Sequence, residues 1–199
     1  MSKLKNFWEK YQKIEIIGSG AFGDVYRAKY NDEYFAIKEI KKSKLDKKKF
    51  VNETEVMKKM NCDNSLKLIE SVETEESFYI VSELCYLNLE QYLKKRKKGL
   101  SIEEIKELLI DLNKGLKKIY ENKIIHGDIK PSNILLSFNK NNVNKVCFKI
   151  SDFGLSKCYF VSFHYYYFQC NFLFLLILLV MFLFHFVYFL HCVFFPLFF

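Results

Sequence analysis

"IIHGDIKPSNILL", residues 124–136, decides how the rest of the chain is read. Asp128, Lys130 and Asn133 stand at fixed offsets between apolar anchors, in a polar turn marked by Pro131. Alone, such a stretch is an ordinary turn. It acquires chemistry from three others, "GSGAFGDV" (18–25), "FAIK" (35–38) and "SDFG" (151–154).

Working outward, "YQKIEIIGSGAFGDVYRAKY" (11–30) reads as strand, glycine turn, strand, with β-branched and aromatic residues on both sides. "EYFAIKEI" (33–40) is a third strand. "KKKFVNETEVMKKMN" (47–61) is helical, with Phe50, Val56, Met57 and Met60 spaced to share a face. "SLKLIESVE" (65–73) and "ESFYIVSEL" (76–84) read as two more strands. "NLEQYLKKRKK" (88–98) is a short helix ended by Gly99. A longer helix over 101–121 opens with a Ser101/Glu104 capping box, and Ile102, Ile105, Leu109, Leu112, Leu116 and Ile119 form its expected buried stripe. The Asn-rich "SFNKNNVNK" (137–145) is a solvated hairpin or an insertion. A β-rich half thus precedes a helical half, an α+β pattern without internal repeats.

Gly18, Gly20 and Gly23 form G-x-G-x-x-G. The dinucleotide fingerprint needs a helix after its glycines, and here a strand follows. Nor is there a G-x-x-x-x-G-K loop. What remains is a glycine hairpin able to lie over a nucleotide and offer backbone N–H groups to phosphates. Lys38 sits on the next strand. A lysine held by a carboxylate can bridge two phosphates, and the following helix offers Glu53 or Glu55. Glu53 is preferred because Met57 and Met60 fall on its side of the helix.

Taken in this order, the motifs resemble those of a eukaryotic protein kinase over 11–157. The resemblance implies a bilobal fold, with a β-rich small lobe and part of a helical large lobe. It implies an ATP- and Mg²⁺-dependent enzyme that moves the γ-phosphate to a hydroxyl of a protein substrate. Asp128 would orient the substrate hydroxyl and take its proton, and Lys130 would neutralise the moving phosphate. Asn133 and Asp152 would hold Mg²⁺. Lys38, fixed by Glu53, would grip the α- and β-phosphates. Ile17, Gly18, Ser19, Gly20 and Gly23 would cover the nucleotide. Adenine would lie between Val25 and Ala36 above and Leu135 below, its edge meeting the backbone near Glu83 and Cys85. Lys130 followed by Pro131, and Leu155 after the Gly, resemble the serine/threonine branch.

Two departures stand out. Gly127 replaces the arginine that in many family members pairs with a phosphorylated activation loop, a change that bears on regulation rather than chemistry. After "DFGLSK" the chain enters "CYFVSFHYYYFQCNFLFLLILLVMFLFHFVYFLHCVFFPLFF" (158–199), which does not match the substrate-binding half of the family's large lobe. His126 is therefore expected to lose the buried partner that the family supplies from a later helix, and the helix at 101–121 much of its packing.

Composition divides the chain at the same place. All 31 basic and 23 acidic residues lie within 1–157, which therefore carries the whole net charge of +8. The lysine runs at 41–49 and 94–98 lack aromatic interleaving and read as solvated faces, so no nucleic-acid partner is expected. Cysteines 62, 85, 147, 158, 170 and 192 show no zinc spacing and are expected as reduced thiols. The organisation expected is an N-terminal segment 1–10, an incomplete kinase domain 11–157 and a hydrophobic tail 158–199. Within the tail, 172–190 is long and apolar enough to span a bilayer as a C-terminal hydrophobic helix, interrupted only by His185. Lysines 145, 149 and 157 precede it, which puts the kinase part in the cytoplasm, anchored through the tail. A rival origin is translation of a T-rich intron, because Phe, Leu, Ile, Val and Met share U at the second codon position. Two functions follow: a protein serine/threonine kinase, or a catalytically inactive, membrane-anchored nucleotide-binding scaffold.

Overall fold

The computed structural model describes residues 7–20, 23–96, 99–139 and 142–158, all within one compact unit, Met1–Tyr159. A five-stranded antiparallel sheet comes first. It comprises β1 (Gln12–Ser19), β2 (Gly23–Tyr30), β3 (Glu33–Lys41), β4 (Leu68–Glu73) and β5 (Ser77–Glu83), in the order β1-β2-β3-β5-β4. Helix α1 (Lys47–Lys59) is inserted between β3 and β4. Asp46 caps it by accepting from the Lys48 N–H at 2.6 Å, and Lys58 and Lys59 in its last turn complement the helix dipole. Phe50, Glu53, Val56, Met57 and Met60 form its buried face, and Phe50 stacks on Phe78 of β5 at 4.5 Å.

The other face of the sheet is closed by residues that the sequence set ahead of the domain. Phe7, in a 3-10 turn at Phe7–Glu9, is 1% exposed and stacks on Tyr79 at 4.0 Å. Tyr11, Ala28, Phe35, Ile37 and Val81 complete this core. Burying a phenylalanine so fully stabilises by about 1.5–3 kcal/mol, so the turn is an integral part of the small lobe. Lys10 and Tyr11 both reach Glu70 of β4.

After β5 the chain passes through β6 (Leu87–Asn88) into α2 (Leu89–Lys95), α3 (Ile102–Glu121) and β7 (Ile124–Ile125). It continues through a 3-10 turn at Pro131–Asn133 into the hairpin β8 (Ile134–Asn139) and β9 (Asn142–Ile150), then β10 (Lys157–Cys158). Strands β6, β8 and β9 form one sheet, and β10 pairs with β7. Of the two readings of 137–145, the hairpin is the one found, with Asn139 opposite Asn142.

Helix α2 stops at Lys95 rather than running to Gly99. Arg96 turns extended, and its guanidinium is taken by Glu104 and the Tyr92 hydroxyl. In α3 the capping box forms as expected, but the buried stripe is rotated. Leu108, Asp111, Leu112, Gly115 and Ile119 face inward, whereas Ile102 is 66% exposed. The cause lies in β9. Asp111 accepts the buried Phe148 N–H at 3.0 Å, and Gly115 lets Ile150 in so closely that a Cβ there would lie 2.8 Å from its Cδ1. Among the described residues no helix is long and apolar enough to cross a membrane, and the 172–190 stretch lies outside them.

Candidate active site

A cleft of about 820 Å³ runs between the β1–β3 face and β8. Its roof is Ile17, Gly18, Val25 and Ala36, and its floor is Leu135. Glu83, Leu84 and Cys85 line one end, and Lys38, Glu53, Ser151 and Asp152 the other. Sheet register explains the roof: Val25 pairs with Lys38, and Arg27 with Ala36, so alternate residues of β2 and β3 face the same side. Ser19 ends β1 opposite Asp24, and Gly20 and Gly23 exchange backbone hydrogen bonds that close the hairpin. Gly23 must be glycine, since a Cβ there would sit 1.8 Å from the Glu39 carbonyl oxygen.

Lys38 Nζ donates to Glu53 Oε1 at 2.9 Å and lies 3.7 Å from Asp152 Oδ1. Glu55 instead meets Lys58 at the surface. Burial opposes the charge on Lys38, but the two carboxylates outweigh it and hold its pKa above the ordinary lysine value. Asp152 has φ +62, a left-handed backbone uncommon for a residue other than glycine, found where a side chain must be aimed.

Asp128, Lys130 and Asn133 do not line this cleft; Asn133 Nδ2 donates to the Asp128 carbonyl at 2.9 Å and to its Oδ2 at 2.8 Å. Lys130 Nζ also reaches Asp128 Oδ2, at 2.8 Å. The Lys130 hydrogen bond is the largest influence keeping the Asp128 carboxyl below its usual range. Ser151 ties the two motifs together, its N–H and hydroxyl both donating to the Asn133 carbonyl at 2.9 Å. His126 is 4% exposed and is held by Asp128 and Ser151. Its Nδ1 accepts from the Asp128 N–H at 3.2 Å, so Nε2 carries the proton and donates to the Ser151 carbonyl at 3.0 Å. Burial pushes its pKa below the ordinary value. Gly127 has φ +82 and packs against Leu155, where a Cβ would approach the Leu155 carbonyl oxygen to 3.3 Å.

The family model for the protein kinase domain matches residues 11–170. This chain belongs to the protein kinase family. It is similar to cyclin-dependent kinase 14 of Xenopus tropicalis, 31% identical over 162 residues, covering 79% of this chain and 37% of that protein. The protein of the same name from Oryctolagus cuniculus is 31% identical over the same length, 33% of it covered. Cell division control protein 2 homolog 3 of Trypanosoma brucei brucei is 27% identical over 170 residues, covering 83% of this chain and 53% of that protein. The kinase thus spans between a third and about half of the length of these relatives. Membership of the protein kinase family is thus what the motifs implied.

Sequence reasoning missed several residues lining the kinase cleft. Ile80 and Ser82 follow from alternation, since they pair with Lys38 and Ala36 across β3 and β5. Met57 and Leu66 close the inner end. Lys149 was read only as one of the charges that precede the tail. It is 8% exposed and reaches the Asp63 carbonyl at 2.7 Å and Glu83 Oε1 at 3.1 Å, partners too distant in sequence to leave a local pattern.

Proposed function

We propose that this kinase binds Mg·ATP in the cleft and carries the groups that move its γ-phosphate to a serine or threonine hydroxyl of a protein substrate. The observation that carries this reading is the convergence of Lys38, Glu53 and Asp152 at one end of an apolar slot of nucleotide size. Phosphoryl transfer asks for alignment and charge compensation more than covalent help. Lys38, held in place by Glu53, is set to contact the α- and β-phosphates. Asn133 and Asp152 offer hard oxygen donors that would hold Mg²⁺. When bound, that ion neutralises charge on the phosphate oxygens.

Asp128, with its depressed pKa, is a weak base. It orients the hydroxyl and receives its proton once the forming O–P bond has made that proton acidic. Lys130, half exposed, can swing from Asp128 to the γ-phosphate. Titration of the chain with Mg·ATP tests the reading. Lys38→Ala and Asp152→Asn should each weaken binding, whereas Asp128→Asn should leave it and abolish transfer to a serine peptide. Unchanged binding by a folded K38A/D152N double variant would overturn it.

A non-catalytic scaffold is the second reading. It is favoured by 158–199, which carries no Asp, Glu, Lys or Arg and lies beyond the family match from residue 171 onward. On that reading Mg·ATP binds and no peptide is phosphorylated. We further propose that 172–190 anchors the chain to a membrane with the kinase part in the cytoplasm. Two of the relatives are named as cyclin-dependent. A subunit of that kind would meet an α1 whose ion pair to Lys38 is already closed.

A further inference from the structure

Lys149 is the most deeply buried lysine among the described residues, and the mechanism above does not use it. Three segments far apart in sequence meet on it. Its ammonium donates to the Asp63 carbonyl at 2.7 Å, just after α1, and reaches Glu83 Oε1 at 3.1 Å, at the end of β5. The same Oε1 accepts the Lys67 N–H at 2.8 Å, while the Glu83 N–H donates to the Lys67 carbonyl at 3.1 Å. Backbone bonds from Leu66 to Ile150 and from Ile150 to Asn64 lock the knot.

The position of this knot gives it a function. Glu83 opens the segment that lines one end of the cleft, and Asp152 stands three residues after Lys149 at the other. One lysine therefore joins the segment facing a base to the strand that delivers the metal-side carboxylate. Resting on the nucleotide reading given above, we propose that Lys149 is a positioning residue that fixes the separation between the base-contacting segment and the Asp152 end of the cleft. A ligand spanning both ends should feel its loss, and one occupying only the phosphate end should not.

Removing one partner of a buried ion pair strands the other, so Lys149→Met alone risks unfolding the chain. Removing both charges commonly does not. The test uses the full chain in detergent, with Mg·ADP and Mg·tripolyphosphate titrated calorimetrically into wild type, the double variant E83L/K149M and the near-isosteric E83Q. In E83Q an amide oxygen can still accept from Lys67 and from the Lys149 ammonium, so neither donor is stranded while the attraction between opposite charges is gone. The expected result is a loss of about tenfold in Mg·ADP affinity with Mg·tripolyphosphate affinity kept within about twofold. E83Q supplies this comparison if the double variant does not fold. Wild-type Mg·ADP affinity in a folded double variant or in E83Q would overturn the proposal, as would equal losses for both ligands. A wild-type chain with no preference for Mg·ADP over Mg·tripolyphosphate would instead remove the nucleotide reading itself, and this proposal with it.

Discussion

At the scale of single residues, pairing matters more than identity. Glu53 and Glu55 lie on one helix, yet Glu53 is buried against Lys38 and Glu55 shares solvent with Lys58. Lys38→Ala should therefore cost about 3 kcal/mol in urea unfolding, because it leaves Glu53 buried without its cation. Glu55→Gln should change neither stability nor nucleotide affinity measurably. His126 supplies a pH test. The unfolded chain takes up a proton near the ordinary value of 6.5, whereas the folded chain does so only at lower pH. Stability from the neutral imidazole is thus full above pH 6.5 and falls as pH drops below it toward the folded pKa, at most by about 1.4 kcal/mol per unit. In residues 1–158, where His126 is the sole histidine, denaturation midpoints should fall between pH 7.5 and 5.5. His126→Gln should flatten that slope, and an unchanged slope would refute the assignment. Lys38, Asp128, Asn133 and Asp152 could be singled out through the family resemblance because the motifs that carry it are contiguous. The Ser151 partner of His126 could not, since it reaches the ring only after β8 and β9 have folded back.

At the scale of elements, the sequence revealed where strands and helices lie better than which way they face. The period of α3 was plain and its apolar residues gather on one side, but an edge of that arc rather than its centre packs inward, so hydrophobicity alone did not choose the contact line. Asp111 and Gly115 chose it, one by accepting a hydrogen bond from β9 and the other by its lack of a side chain. Gly115→Ala should therefore lower stability by about 1–3 kcal/mol despite alanine's better helix propensity, because the Asn64 carbonyl oxygen would stand 2.9 Å from the new Cβ and cannot yield cheaply. Ile102→Ser, on the exposed side, should stay within about 0.5 kcal/mol. Thermal melts of the two variants check both expectations. Equal losses would mean that the stripe first read from periodicity is the buried one. The family match begins at residue 11, where the sequence reading put the domain, but the packing of Phe7 and Trp8 onto the sheet could not be read, because the residues they cover lie far along the chain.

At the scale of the whole molecule, the proposed membrane anchor makes a prediction about where the chain resides. Each central Leu, Ile, Phe or Val in 172–190 favours insertion by about 0.3–0.6 kcal/mol, which together outweigh one histidine. The chain should therefore sediment with membranes and resist alkaline carbonate, and deletion of 158–199 should release it. A full-length chain recovered as a monomer from the cytosolic supernatant would refute this. In water the same segment, uncharged and rich in aromatic and β-branched residues, favours aggregation.

Trp8 is the only tryptophan in the chain, and it stands edge-on to Tyr26 at 5.3 Å and to Tyr79 at 5.9 Å, with the Lys13 ammonium 4.5 Å from its ring. Its fluorescence is therefore an optical gauge of the N-terminal sheet alone, fed by energy transfer from the adjacent tyrosines. Far-ultraviolet ellipticity, by contrast, also reports the twenty-residue α3, the longest helix among the described residues. Following both through one denaturant titration separates the melting of the two halves without a label. Displaced curves would reveal a half-unfolded species in which one half has come apart while the other still stands.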